Sequence, residues 1–192
     1  MYVLSNNHVF ANVNQASPGD AIFQPGVADG GSDADAIATL TRWVPIQLNS
    51  SAFNAVDAAI ARLSPGVVHR ANLPGIGRIV GLTSAQEEMK ICKFGRTSGY
   101  TEGHVTDVAY DAMVGMDHGN PNVFAKFENQ IRIEAEAPRY AFFGLGGDSG
   151  SLVVSKPDKK AVGLYFAGPP GGSYGIANPI DRVLSDLKIE LL

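Results

Sequence analysis

The stretch Gly144-Leu145-Gly146-Gly147-Asp148-Ser149-Gly150-Ser151-Leu152-Val153-Val154 joins a glycine-rich turn to an apolar, partly β-branched run. A nucleophilic serine needs open space for its substrate and backbone N–H groups aimed at a developing oxyanion. The glycines around Ser149 permit a tight turn and leave its hydroxyl open. The N–H groups of Gly147 and Ser149 can then point at one spot. A glycine-rich β-turn with an ordinary serine fits the same residues, so this segment alone leaves both readings standing.

Two further residues bear on the choice. His8 lies in Leu4-Ser5-Asn6-Asn7-His8-Val9, just after an apolar stretch. A lone histidine at a strand end is usually structural. Asp57 lies in Asn54-Ala55-Val56-Asp57-Ala58-Ala59-Ile60-Ala61. A carboxylate in an apolar run is costly to bury unless something pairs with it, and an imidazole N–H is one such partner. An exposed strand-end Asp is the plainer reading of that residue alone. Taken together, the chain order His8, Asp57, Ser149 is the trypsin-like order; subtilisin-like and α/β-hydrolase enzymes use others. No Gly-x-Ser-x-Gly elbow surrounds Ser149, because Ser151 occupies the second glycine's place. His69, His104 and His118 have no comparable settings and fit a metal cluster poorly.

Composition narrows the field. In 192 residues, 45 % are apolar and 18 % charged, which excludes a disordered chain. The 22 glycines and 11 prolines imply many turns and short elements. With a net charge of −4 and no basic run, nucleic acid is not an expected partner. No apolar stretch is long enough for a membrane-spanning helix. Cys92, the one cysteine, excludes an internal disulfide and a cysteine-rich zinc site, and it reads as a small core residue. No cofactor site is evident. Asp29, Asp33 and Asp35 share a polar loop that reads as a solvated turn rather than a Ca²⁺ site. After Met1 there is no basic segment followed by a long apolar one, so the expected location is cytoplasmic. A secreted product whose leader is already gone reads the same way.

Strand-like runs recur between turn signals: Tyr2–Leu4, 21–24, 36–44, 58–63, 77–80, 90–94, 103–108, 130–135, 151–154, 161–166 and 174–177. This spacing suggests an all-β sandwich or barrel. Only the C-terminus reads as helix, with Asn178 as N-cap, Pro179 at the first position, and Ile180, Val183, Leu184 and Leu187 on one face. The weak boundary near residues 73–84 divides the chain into 1–80, with His8 and Asp57, and 81–192, with Ser149.

Through Leu4–Val9, Val56–Leu63, Lys93–Val105, Gly147–Val154 and Val162–Gly168 the chain resembles the trypsin-like serine proteases of the chymotrypsin fold. The run Phe94-Gly95-Arg96-Thr97-Ser98-Gly99-Tyr100-Thr101-Glu102-Gly103 is similar to bacterial members of the α-lytic protease type. The whole resembles bacterial trypsin-like proteins that are in turn similar to the plant Narrow Leaf 1 protease. The resemblance implies two antiparallel six-stranded β-barrels with the active site between them. It implies Ser149 as nucleophile, His8 as general base, Asp57 as its orienting carboxylate, and the N–H groups of Gly147 and Ser149 as the oxyanion hole. It further implies a buried Lys93–Asp148 pair, with Arg96 as the substitute cation. Phe143 would form the base of the primary pocket, Phe166-Ala167-Gly168 the strand that pairs with the substrate, and Gly175 a pocket wall. With no acid at Phe143, small or medium apolar residues are expected there rather than Lys or Arg.

The expected activity is therefore that of a serine endopeptidase acting on peptide or protein substrates, and an esterase would use the same chemistry. The alternative is a catalytically incompetent homologue that serves as a protein-binding or scaffold module. Family members carry two strands before the one that leads into the histidine. Here the first barrel is expected to be short of both, with an exposed edge that invites a homo-oligomer. Either the protein starts upstream, or another chain supplies the strands, or the chain no longer cuts.

Overall fold

The computed structural model describes residues 1–117, 120 and 122–191. Among these, every stretch expected as strand contains strand. The N-terminal unit is a four-stranded antiparallel sheet in the order β1 (Tyr2–Ser5), β5 (Ala59–Leu63), β3 (Ala36–Trp43), β2 (Ala21–Phe23). Among the described residues β1 and β2 each have one neighbour, so this sheet is open at both ends. A four-residue helix, α1 (Asn7–Phe10), follows β1 directly. A short hairpin of β6 (Asn72–Leu73) and β7 (Gly77–Arg78) leads out of the unit.

The second unit closes on itself. Its strands are β8 (Lys90–Gly95), β9 (Gly99–Gly115), β10 (Phe124–Ala135), β11 (Leu152–Ser155), β12 (Ala161–Ala167) and β13 (Tyr174–Pro179). They pair antiparallel in the ring β8-β9-β10-β13-β12-β11 and back to β8. Each strand therefore has a partner on both sides, which removes the exposed edge. Ile91, Val105, Ile131, Ile133, Phe143, Val153, Val162, Tyr165 and Ala177 fill the interior.

The chain crosses between the units in both directions. β4 (Phe53–Asn54), a strand the sequence pattern did not reveal, pairs parallel with β10. The C-terminal helix α2 (Ile180–Leu187) turns Ile180, Val183, Leu184 and Leu187 onto Val56, Ala58 and Ile60 of the first unit. The Nε of Arg42 donates to the Leu187 carbonyl at 3.0 Å, placing a cation at the helix C-terminus. Among the described residues no helix is long and apolar enough to cross a membrane.

Asn178 differs from its expected role. It belongs to β13, and Pro179 is the N-cap, with no side-chain capping bond. The Asn178 amide instead bolts the two units together. Its Nδ2 donates to Gln130 Oε1 at 2.6 Å and its Oδ1 accepts from the Asp57 N–H at 3.1 Å. Gln130 Nε2 extends the bolt to the Ala55 carbonyl at 2.9 Å. A buried amide satisfied on both ends outweighs a local capping preference. Asn178→Ala strands the Asp57 N–H and the Gln130 Oε1 in a buried interface. The expected cost is about 2–3 kcal/mol, read as a lowered urea midpoint at unchanged m-value.

Candidate active site

The fold brings His8 and Asp57 into contact across 49 residues of chain. β1 ends at Ser5, and α1 carries His8 on its first turn, over the start of β5. Asp57 is wholly buried just before β5. Its Oδ1 accepts the His8 backbone N–H at 3.1 Å, and its Oδ2 lies 2.5 Å from His8 Nδ1. The paired contact fixes both the position and the tilt of the imidazole, with Nδ1 turned to the carboxylate, and among the described residues Nε2 has no hydrogen-bond partner. Asn6 Nδ2 donates to the Asp57 carbonyl at 2.8 Å. Asn7 Nδ2 donates to the Val44 carbonyl and to Asn14 Oδ1, both at 2.8 Å, pinning α1 to the end of β3. Neither asparagine was recognised from the sequence. Their adjacency to His8 is the one signal that pointed to them.

Ser149 stands in the turn between Gly147 and Gly150. Gly147 has φ +95°, and a Cβ there would lie 2.5 Å from Thr97 Oγ1, so both backbone and space require glycine. Among the described residues the N–H groups of Gly147 and Ser149 have no acceptor within the chain. Ser149 Oγ donates to the Phe166 carbonyl at 3.4 Å, and no hydrogen bond joins it to His8 among the described residues.

The turn is held from below by Asp148, which is buried with Lys93 at 2.9 Å, both side chains fully excluded from solvent. Asp148 Oδ2 also accepts from Ser98 Oγ at 2.6 Å and the Leu145 N–H at 3.0 Å. Its Oδ1 accepts the N–H groups of Thr97 at 2.8 Å and Ser98 at 3.0 Å. Burial pushes the Asp148 carboxyl upward, but the Ser98, Leu145 and Lys93 donors outweigh it and hold it down at about 2. The Lys93 ammonium also faces the rings of Phe143 and Tyr165, 5.5 and 5.4 Å from their centroids. Arg96 does not substitute for Lys93. Its guanidinium pairs with Asp29.

The remaining expected residues fall as follows. Phe166 is buried against Phe127, with ring centroids 4.8 Å apart, and Ala167 ends β12 next to Gly168. Phe143 is wholly buried in the second barrel, edge-on to Tyr165 at 6.1 Å. Gly175, on β13, touches both rings. Of the loop carboxylates, Asp29 serves Arg96, and Asp35 accepts from the Ser32 N–H and hydroxyl at 2.9 Å. Cys92 is buried on β8, where desolvation raises its thiol pKa. His69 is exposed, His104 lies 3.8 Å from Glu136, and His118 is outside the described residues.

A chymotrypsin from Cellulomonas bogoriensis is similar to this chain over 98 % of its length and 84 % of the other, at 19 % identity and TM-score 0.64. The fold is that of chymotrypsin. Thermobifida fusca protease A follows at 17 % identity and TM-score 0.61, covering 98 % of this chain and 83 % of that one. An α-lytic protease homologue matches at 16 % identity and TM-score 0.58, covering 97 % and 83 %. No family model and no curated protein matches the chain. In this chymotrypsin-fold chain the Lys93–Asp148 pair supports the Ser149 turn from within the second barrel.

Lys93→Met leaves the Asp148 carboxylate buried without its cation and is expected to cost about 3–5 kcal/mol at neutral pH. Because the folded carboxyl sits at about 2 against an ordinary 3.8, its stabilisation is complete above 3.8 and is lost as pH falls through about 2. The wild type should therefore lose this part of its stability as pH falls from about 3.8 to about 2, as urea titrations across that range would read.

Proposed function

We propose that this chain is a serine endopeptidase that uses Ser149, His8 and Asp57 as a catalytic triad. The observation that carries the reading is the two-point Asp57–His8 contact: Oδ1 on the backbone N–H at 3.1 Å and Oδ2 on Nδ1 at 2.5 Å. A buried carboxylate that fixes tautomer and orientation of an imidazole is the orienting half of a triad. The unengaged N–H groups of Gly147 and Ser149 support the other half.

In the mechanism, Ser149 Oγ leaves the Phe166 carbonyl and approaches His8 Nε2 to within about 2.6–3.2 Å, an adjustment common to apo sites. His8 Nε2 takes the hydroxyl proton as Oγ adds to the scissile carbonyl. The Gly147 and Ser149 N–H groups receive the oxyanion. Asp57 stabilises the imidazolium without taking its proton. Collapse breaks the C–N bond, and the His8 proton leaves on the amine. A water molecule, deprotonated by His8, then releases the acyl group from Ser149. The substrate backbone runs along Phe166-Ala167-Gly168.

Treatment with a fluorophosphonate is expected to add one adduct by intact mass to the wild type and none to Ser149→Ala. An unmodified wild type would sink the protease reading and favour a binding module. Asp57→Asn, which keeps the shape but misplaces the proton, is expected to lower kcat on a cleaved peptide by about 10⁴-fold, measured by initial rates.

A further inference from the structure

Tyr165 was not singled out from the sequence, where it reads as one more apolar residue of a buried strand. It is 3 % exposed, and glycines from three separate segments crowd it. A Cβ at Gly144 would lie 2.6 Å from Tyr165 Cζ and 2.7 Å from its hydroxyl. A Cβ at Gly168 would lie 3.0 Å from the same hydroxyl, and one at Gly175 would lie 2.8 Å from Cε2. Gly144 opens the segment that leads into the Ser149 turn. Gly168 follows the end of β12, where the Phe166 carbonyl meets Ser149 Oγ. One phenol oxygen thus stands between these two stretches of backbone.

Those stretches bracket the acyl half of a bound peptide. On the protease reading, the scissile carbonyl carbon sits at Ser149 Oγ, its oxygen points to the N–H groups of Gly147 and Ser149, and its backbone follows residues 166–168. The side chain of the residue contributing that carbonyl then falls between the 144–147 segment and the 166–168 strand. The Tyr165 ring and hydroxyl already occupy that gap. The ring is also held in place: Lys93 lies 5.4 Å from its centroid and Phe143 packs edge-on. Moving it aside would uncover a buried ammonium. Phe143, six residues before Ser149, is screened from the gap by this neighbour.

We propose that Tyr165 is a specificity-determining residue that stoppers the primary pocket, so that the chain cleaves after glycine, alanine or serine. Side chains that end at Cβ or one atom beyond fit above the phenol; leucine, methionine and aromatic residues meet it. This inference rests on the protease reading and sharpens it from apolar residues of small or medium size to the smallest ones.

The test uses fluorogenic peptide amides that differ only in the residue before the cleaved bond: alanine, leucine or phenylalanine. The fluorophosphonate adduct is measured in parallel on every protein. Wild type is expected to favour alanine over leucine by about 100-fold in kcat/KM, the scale on which a pocket wall excludes added carbons. Tyr165→Val removes the ring and should cut that preference at least about 10-fold while keeping the adduct. Tyr165→Phe shortens the stopper by one heavy atom and should fall between. Equal wild-type rates on alanine and leucine, with the adduct present, would overturn the inference and leave the protease reading intact. The same holds if Tyr165→Val keeps both the adduct and the wild-type preference. If Tyr165→Val fails to fold, the wild-type ratio and Tyr165→Phe still decide the matter. No adduct on the wild type would remove the protease reading and this inference with it.

Discussion

A carboxylate wholly out of water, Asp57, sets the terms on which the two units meet. An isolated buried charge costs several kcal/mol unless each oxygen is engaged. Here the His8 backbone and ring take the two side-chain oxygens, Asn6 takes the carbonyl, and Asn178 takes the N–H. Three of these four contacts come from the end of β1 and the first turn of α1, and the fourth comes from the last strand of the second barrel. The charge itself is answered within the N-terminal unit, and the second unit holds the backbone of the same residue. One residue therefore positions the imidazole through its side chain and meets the second unit through its backbone.

A second buried carboxylate plays the corresponding part inside the second barrel. Asp148 gathers donors from Lys93, Thr97, Ser98 and Leu145, and in doing so shapes the backbone that presents Ser149. The Lys93 ammonium then rests against Phe143 and Tyr165. Ion pair, serine turn and the ring beside them are packed against one another. Such a site is rigid before any ligand arrives, which is what a hydrogen-bonding cradle needs to act without reorganising.

Much of this was legible in the sequence where a rule of chemistry is local. Glycine at 147 and 150 betrays a turn that needs positive φ, and both residues have it. An aspartate set in Val56-Asp57-Ala58-Ala59 reads alone as an exposed strand end, and it was the chain order with His8 and Ser149 that gave it a partner. Lys93 lay two residues before Gly95, where a resemblance placed a cation. The misreadings arose where the deciding partner is far along the chain. Asn178 before a proline has every local mark of a cap, yet its amide is claimed by Gln130, 48 residues away. Phe143 was placed at a pocket base by counting back from Ser149, and counting cannot see that Tyr165 stands between. Tyr165 itself carries no local mark. Its meaning lies in three glycines that are scattered along the chain and adjacent only in space. β4 is two residues long and depends wholly on β10 for its pairing, so no periodicity could disclose it.

The two sheets differ in closure, and the difference has a bearing on how the molecule comes apart. A ring in which each strand is clamped on both sides has no natural place to begin fraying, whereas a four-stranded sheet with two ends does. Local opening therefore starts in the N-terminal unit, at β1 or β2. α1 hangs directly from β1, so an opening at β1 carries His8 away while the ring around Ser149 stands. On the proposed reading, a partly opened molecule keeps its nucleophile and loses its base. On that reading, an opening at β1 disarms the site in the same step that frees backbone, which limits self-digestion.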